Sequence, residues 1–160
     1  KSLLKTAFEY NWHIVIVTNQ SGISRKIFTW KEFDAVNHRM IELLGLPSLI
    51  SGIYANGYKD FSNSQDWRKP LPGMILASAK ELKINLSKSI LIGDRFSDLK
   101  AGANAGISKL VHVLSGHGKK ERQLIYKSIN KSGKFVQNEM KCDIQLLKNL
   151  NSFPLDHFKS

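Results

Sequence analysis

Four short polar stretches could do chemistry, because each lies where a predicted strand ends or a predicted helix begins. They read VTNQSG (17–22), RKPLPG (68–73), IGDRFSD (92–98) and SGHGKK (115–120). In the first, Thr18 follows an apolar strand, and its hydroxyl and the backbone amides of the next turn could bind a phosphate group. The alternative is that Thr18 and Asn19 only cap a loop or helix.

The third stretch carries two carboxylates. Asp94 comes directly after the strand that ends at Gly93, and Asp98 follows four residues later. Mg²⁺ takes one or two protein carboxylates and fills its other positions with water and phosphate oxygens, so this pair suits a magnesium site beside bound phosphate. Alternatively, Asp98 stabilises the first turn of the next helix through the helix dipole.

Arg68 and Lys69 offer positive charge to the same site. Pro70 fixes a turn directly after the lysine and so helps to aim it. The alternative is a solvated pair in a loop.

Strands that alternate with helices must position these residues. Apolar runs closed by polar residues predict buried parallel strands at 14–18, 52–55, 89–92 and 110–113. A capping box of Thr29 and Glu32 begins a helix that Gly45 ends, and further helices are predicted over 74–84 and 97–106. This order predicts an α/β fold whose site lies at the carboxyl ends of the strands.

Three other segments have weaker patterns. Residues 58–66 are polar and predict a long loop. Residues 116–134 are basic and poorly periodic, so no element is predicted there. The tail at 142–150 predicts a last helix.

Composition limits the class of protein. A chain of 160 residues with 42% hydrophobic residues predicts one domain over 1–160, and no apolar run approaches the roughly 20 residues that span a bilayer. The net charge of +11 predicts a phosphorylated or other acidic ligand, and the scatter of the Lys and Arg residues argues against specific nucleic-acid binding. A lone cysteine, Cys142, allows no internal disulfide, so we expect a cytoplasmic protein. We also expect a monomer.

In this order, the motifs resemble those of the haloacid dehalogenase (HAD) superfamily of phosphohydrolases. Thr18 matches its second motif, Lys69 its third, and Asp94 with Asp98 its fourth. The stretches TNQSGI, RKPLPGM and SGHGKK are similar to the subfamily that contains heptose bisphosphate phosphatase and histidinol phosphatase. The resemblance covers about residues 3–118 and implies a Rossmann-like parallel sheet with helices on both faces and no large cap.

The resemblance also implies a mechanism. In such enzymes an aspartate attacks phosphorus to form an aspartyl phosphate, and a second aspartate two positions later protonates the leaving oxygen and then activates water. Lys69 would neutralise the phosphoryl oxygens, Asp94 would bind Mg²⁺, and Asp98 would support the metal through water or orient Lys69.

Contacts with the substrate follow from the same resemblance. Thr18, together with Asn19 and Gln20, would bind the transferring phosphoryl group. Arg68 and Arg25 would contact the rest of a phosphorylated substrate.

The first motif of the family, a strand ending in Asp-x-Asp-Gly-Thr, has no match here. No aspartate precedes Asp34, which lies inside a predicted helix. That strand is the central one of the family's sheet, so the strands ending at Thr18 and Gly93 would have no partner between them. Two explanations stay open: an N-terminally truncated fragment, or a natural truncation that has lost catalysis. In both cases we expect no turnover by these 160 residues alone.

Zinc is not expected. Many members of this subfamily carry a Cys/His cluster before the Arg-Lys motif, but residues 54–67 contain neither residue, and a structural zinc site needs four such ligands. Among the dispersed histidines, His117 is the one near the predicted site.

Three functions remain open. The first is a Mg²⁺-dependent phosphomonoesterase of a small phosphorylated metabolite, such as D-glycero-D-manno-heptose 1,7-bisphosphate or histidinol phosphate. The second is a polynucleotide 3′-phosphatase, which the charge of +11 favours, whereas PGM and SGHGKK favour the small-molecule branch. The third is an inactive relative that binds a phosphorylated ligand.

Overall fold

Helices and strands alternate along most of the chain, as the sequence predicts. The structure is a computed structural model that describes residues 1–45, 49–60 and 66–159. The elements are α1 (Ser2–Glu9), β1 (Val15–Asn19), α2 (Trp30–Leu44), β2 (Gly52–Asn56), α3 (Gly73–Leu82), β3 (Ile90–Gly93), α4 (Phe96–Asn104), β4 (Lys109–Val113), α5 (Gly118–Lys127), β5 (Lys134–Gln137) and β6 (Met140–Leu147). The four predicted strands are therefore confirmed as β1 to β4.

The strands form two separate ladders. In one, β1 pairs in parallel with β2, with Val15 opposite Gly52. In the other, the order is β3-β4-β6-β5, in which only β5 runs antiparallel. Within the described residues, no ladder joins β1 to β3.

Helices cover both faces of the larger sheet. On one face, Leu91 and Leu110 pack in a core with Leu99 of α4 and Ile125 of α5. On the other face, Val111 and its neighbours pack with residues of α1 and of the last helical turns, among them Ala7, Phe153 and Phe158. Side chains of successive strand residues point to opposite faces, so one strand serves both cores.

The helix α2 is specified by its ends. Thr29 Oγ1 accepts a hydrogen bond from Glu32 N at 3.3 Å, and Glu32 Oε2 accepts one from Thr29 N at 2.7 Å. The predicted capping box is thus confirmed, and the bonds from Thr29 hold the pKa of Glu32 below its usual range. Gly45 ends the helix in the left-handed region at φ 77°. No residue of α2 is buried, so these local signals matter more here than in a packed helix.

The predicted helix at 142–150 is wrong, because most of this segment belongs to strand β6. Cys142, Ile144 and Leu146 contact the same core and are two residues apart, which is the period of a strand. A tight turn at Asn138, with φ 54°, connects β6 to β5 in a hairpin. Pairing on both sides of β6 overrides the local helical pattern.

The segment 116–134 also differs from the prediction, since it contains α5 and the start of β5. Its helical period is hard to see because Gly118 and Ile125 are the only buried residues of α5. A Cβ atom on Gly118 would overlap the carbonyl oxygen of Val113, so glycine permits this helix to begin directly against β4.

The predicted loop at 58–66 is described only in part, because residues 61–65 lie outside the described residues. Within the described ranges, no helix has both the length and the apolar character needed to cross a bilayer.

Replacing Thr29 with Ala should loosen α2 alone. Loss of an N-cap costs a helix about 1 kcal/mol, and α2 has no buried residue to compensate. We expect the backbone amides of α2 to exchange about fivefold faster in hydrogen-exchange mass spectrometry.

The amides of α4 are the internal control, because α4 lies in the core. Equal acceleration in α2 and α4 would contradict a local role for the capping box.

Candidate functional site

Four predicted site residues meet at one end of a cleft between β1 and β3. This β1–β3 cleft, lined by residues 15–18 and 90–94, has a volume of about 450 Å³. Thr18, Lys69, Asp94 and Asp98 all line it. Thr18 lies near the carboxyl end of β1 and Asp94 follows the carboxyl end of β3, while Lys69 and Asp98 reach the same end of the cleft from the loop before α3 and from α4.

Lys69 makes the central contacts of the site. Its Nζ donates to the carbonyl oxygen of Val17 at 2.9 Å and lies 2.7 Å from Oδ1 of Asp98. The side chain of Asn19 holds the backbone of the lysine on both sides, since Nδ2 donates to Lys69 O and Oδ1 accepts from Lys69 N. The role of Asn19 in this structure is therefore to fix the lysine loop against β1.

Asp98 has two partners that explain its position. Its Oδ2 accepts from the backbone N–H of Arg95 at 2.9 Å, which caps the start of α4. Its Oδ1 pairs with Lys69, so the helix-capping and site interpretations of Asp98 both apply. A Cβ on Gly93 would overlap Asp98, and glycine there lets α4 approach the end of β3.

Among the described residues, the hydroxyl of Thr18 donates no hydrogen bond. Its Oγ1 accepts from Nε2 of Gln20 at 2.9 Å, and a hydroxyl still has one proton to donate. The N–H of Gln20 donates to Asn56 O on β2, which fixes the turn after β1. Gln20 thus fixes one contact of the Thr18 hydroxyl, and Thr18 lines the β1–β3 cleft.

Two contacts restrain Asp94, one at its carboxylate and one at its backbone carbonyl oxygen. Its Oδ2 accepts from the backbone N–H of His117 at 2.7 Å, and its carbonyl oxygen lies 3.1 Å from Nε2 of the fully buried His112. Burial lowers the pKa of His112, which favours the neutral ring. Among the described residues, Oδ1 of Asp94 has no hydrogen-bond partner, and no group of three His, Cys, Asp or Glu side chains is positioned to hold a metal.

Of the remaining predicted residues, Arg25 and Arg68 are not among those that line the β1–β3 cleft. Arg25 is exposed and its Nε donates to Ser21 O in its own turn, while Nη1 of Arg68 donates to Tyr58 O. His117 contributes its backbone amide to the site.

Three residues of the site were missed by sequence reasoning: His112, Glu121 and Arg122. His112 and Glu121 contact residues 94 and 96 over sequence separations of 18 and 25 residues, and Arg122 contacts His112, which is 10 residues away. The one available signal was a histidine inside the apolar strand LVHVL, a pattern that a packed core histidine shares.

Comparisons with known proteins find one matching family and several enzymes that share one name. Residues 66–137 match a family described as HAD-hydrolase-like. The D-glycero-beta-D-manno-heptose-1,7-bisphosphate 7-phosphatase of Pasteurella multocida is 34% identical over 135 residues, which cover 78% of this chain and 73% of that protein. Enzymes of the same name from Mesorhizobium japonicum and Haemophilus influenzae are 37% and 36% identical over 60% and 71% of this chain.

Solved structures agree with the fold. The D,D-heptose 1,7-bisphosphate phosphatase of B. bronchiseptica, crystallised with magnesium and phosphate, has a TM-score of 0.68 at 24% identity and covers 89% of this chain and 74% of that one. A protein from Mesorhizobium loti described as a HAD-like phosphatase has a TM-score of 0.69 at 28% identity and covers 99% of this chain and 69% of that one.

The chain spans only part of several relatives. It covers 48% of the M. japonicum enzyme and 65% of the H. influenzae enzyme.

Replacing Lys69 with Met should destabilise the fold, because it leaves the carboxylate of Asp98 without its counter-charge. The two side chains are 12% and 9% exposed, so we expect the free energy of unfolding in urea to fall by about 2 kcal/mol, less than for a fully buried pair. Adding Asp98→Asn should recover part of the loss, because it removes the unpaired charge and keeps an acceptor for Arg95 N.

Lys5→Met is the matched control. It breaks an ion pair with Glu9 whose side chains are 67% and 55% exposed, and we expect less than about 0.5 kcal/mol. Equal losses for the two lysine variants would contradict a special role for the Lys69–Asp98 pair.

Proposed function

Because this chain belongs to the HAD-type D-glycero-D-manno-heptose-1,7-bisphosphate 7-phosphatase family, we propose that it forms most of the catalytic domain of a Mg²⁺-dependent phosphomonoesterase. Its substrate class is a small phosphorylated metabolite, and a heptose 1,7-bisphosphate is the preferred member. Residues 1–160 are proposed to form a single domain.

One observation carries the proposal: the ammonium of Lys69 lies at the mouth of the β1–β3 cleft between Val17 O and Asp98. Phosphoryl transfer requires positioned positive charge and hydrogen-bond donors more than covalent chemistry from the protein. An ammonium held by two fixed acceptors has little freedom, so it can stabilise developing phosphoryl charge without reorganisation.

Thr18 completes the phosphate contacts from β1. Its hydroxyl proton would bind one phosphoryl oxygen. Backbone N–H groups of the turn after β1 would bind others.

The donor set at Asp94 fits magnesium with phosphate present. Mg²⁺ needs only one or two protein carboxylates when phosphate and water fill its other positions. Asp94 offers one oxygen, while both oxygens of Asp98 are engaged with Lys69 and Arg95. We therefore assign Asp94 to the metal and Asp98 to the orientation of Lys69. Bound Mg²⁺ would neutralise phosphoryl charge.

We assign the attacking carboxylate to an extended segment lying in the β1–β3 cleft. Such a segment, parallel to β1, would end beside Lys69 and could pair with both open strand edges. Its carboxylate oxygen would bond to phosphorus as the phosphorus–oxygen bond to the substrate breaks, and a second carboxylic acid would protonate the leaving oxygen. Water would then attack phosphorus and give a proton to the second carboxylate, which breaks the bond between phosphorus and the first carboxylate, frees inorganic phosphate and restores both groups.

The substrate would extend from this point toward Arg25, Arg68 and Tyr58. Tyr58 is 53% exposed, and its carbonyl oxygen accepts from Arg68. A second phosphate or a hydroxylated carbon chain offers suitable acceptors for these guanidinium groups.

A polynucleotide 3′-phosphatase is the second candidate, and the net charge of +11 favours it. Binding to a phosphorylated DNA end would weaken steeply with salt, because several phosphate contacts release counterions. A heptose bisphosphate makes few such contacts and should depend on salt much less.

We predict phosphate release from heptose bisphosphate only when the chain carries the residues encoded upstream, back to the native start codon. Activity should require Mg²⁺ and fall at least about 100-fold in Asp94→Asn, because the metal carboxylate is lost. A phosphate-release assay on the 160-residue chain and the extended form measures this.

Asp34→Asn is the matched control, since Asp34 lies on α2 away from the cleft, and it should leave activity unchanged. An extended form that is folded but releases no phosphate from heptose bisphosphate, histidinol phosphate or a 3′-phosphorylated oligonucleotide would contradict catalysis and leave ligand binding as the function.

A further inference from the structure

We infer that the beginning of α5 is a positioning device for Asp94, which acts through Glu121, Arg122 and His112. The proposal rests on the proposed function, because Asp94 is taken as the metal carboxylate. It gives a role to part of the basic segment 116–134, in which the sequence predicts no helix or strand.

The first contact is a hydrogen-bond relay through the buried ring of His112. Nε2 lies 3.1 Å from Asp94 O, and a carbonyl oxygen can only accept, so this nitrogen carries the proton. Nε of Arg122 lies 2.8 Å from Nδ1, and an arginine Nε–H can only donate, so Nδ1 is the acceptor. The tautomer and orientation of the ring are therefore set from α5.

The second contact ties Arg122 to the sheet. Nη2 donates to Leu147 O at 2.9 Å and to His112 O at 3.3 Å. One guanidinium thus joins the carboxyl ends of β4 and β6 to the ring that supports Asp94. A lysine has a single point charge and cannot reproduce this fork of donors.

The third contact comes from Glu121. Its Oε2 accepts from the backbone N–H of Phe96 at 2.6 Å, and its Oε1 lies 3.7 Å from Nη1 of Arg95. It therefore fixes the backbone two residues after Asp94. The N–H of His117, just before α5, holds the carboxylate itself through Oδ2.

These contacts restrain Asp94 at its carbonyl oxygen, at its carboxylate and at the backbone that follows. A site with one protein carboxylate for the metal depends strongly on the direction of that carboxylate. Groups that orient a metal ligand typically change metal affinity by about 10-fold to 100-fold.

A merely structural role for Arg122 predicts a different result. It would lower stability and leave the affinity of the folded protein for Mg²⁺ unchanged. Metal affinity therefore separates the two roles.

The test uses Arg122→Lys and Glu121→Gln in the extended form. We expect the Mg²⁺ concentration for half-maximal activity to rise about 10-fold for Arg122→Lys, with kcat at saturating Mg²⁺ changed less than about twofold. Glu121→Gln keeps an amide oxygen for Phe96 N and should give a smaller rise. Lys120→Ala, an exposed position on the same helix, is the matched control and should behave as wild type.

A second readout needs no metal. Nitrogen-15 NMR should find the Nε2–H tautomer of His112 in the wild-type chain, and hydrogen exchange of the His117 and Phe96 amides should accelerate about 10-fold in Arg122→Lys. The Nδ1–H tautomer, or unchanged exchange at both amides, would overturn the inference.

The two proposals fail in different ways. A wild-type extended form that shows no Mg²⁺-dependent activity would overturn the proposed function, while the NMR and exchange results still decide whether α5 orients Asp94. Mg²⁺-dependent activity with an unchanged Mg²⁺ requirement in both variants would overturn the inference alone.

Discussion

The contact of the Lys69 ammonium with Val17 O and Asp98 joins two parts of the chain that no described β-ladder connects. Val17 belongs to the two-stranded ladder and Asp98 to a helix that packs on the four-stranded sheet. One side chain therefore spans the β1–β3 cleft and sets the distance between its walls at the carboxyl edge. Asn104 supports the same loop from α4 by donating to Pro70 O.

Burying the Lys69–Asp98 pair has an electrostatic cost, which a purely structural core could avoid with apolar residues. Two charges with little exposure lose hydration, and an apolar pair of similar size can be equally stable. At the proposed site, the low exposure would in return strengthen the interaction of Lys69 with a phosphoryl group. The fold keeps the charges in place by giving each a second partner, a backbone carbonyl for the ammonium and a backbone N–H for the carboxylate.

Much of the fold could be predicted from local patterns, because β1 to β4 are apolar runs and α2 has both end signals. The cluster of Thr18, Lys69, Asp94 and Asp98 could be predicted as well, since strand order brings their positions to one edge. The strand β6 could not, because its pairing with β4 and β5 decides its conformation. Nor could the contacts of Glu121 and Arg122, since a charged residue in a basic segment gives no sign of a partner 10 to 25 residues away.

The loop before α5 also constrains how this protein can diverge. Gly116 has φ 59°, and a Cβ there would overlap Oδ2 of Asp94, while a Cβ on Gly118 would overlap Val113 O. Between them, His117 uses its backbone for the site and leaves its side chain exposed. Among these three positions, evolution can therefore vary the side chain at residue 117 alone, because a side chain at either neighbour would displace the carboxylate or the helix.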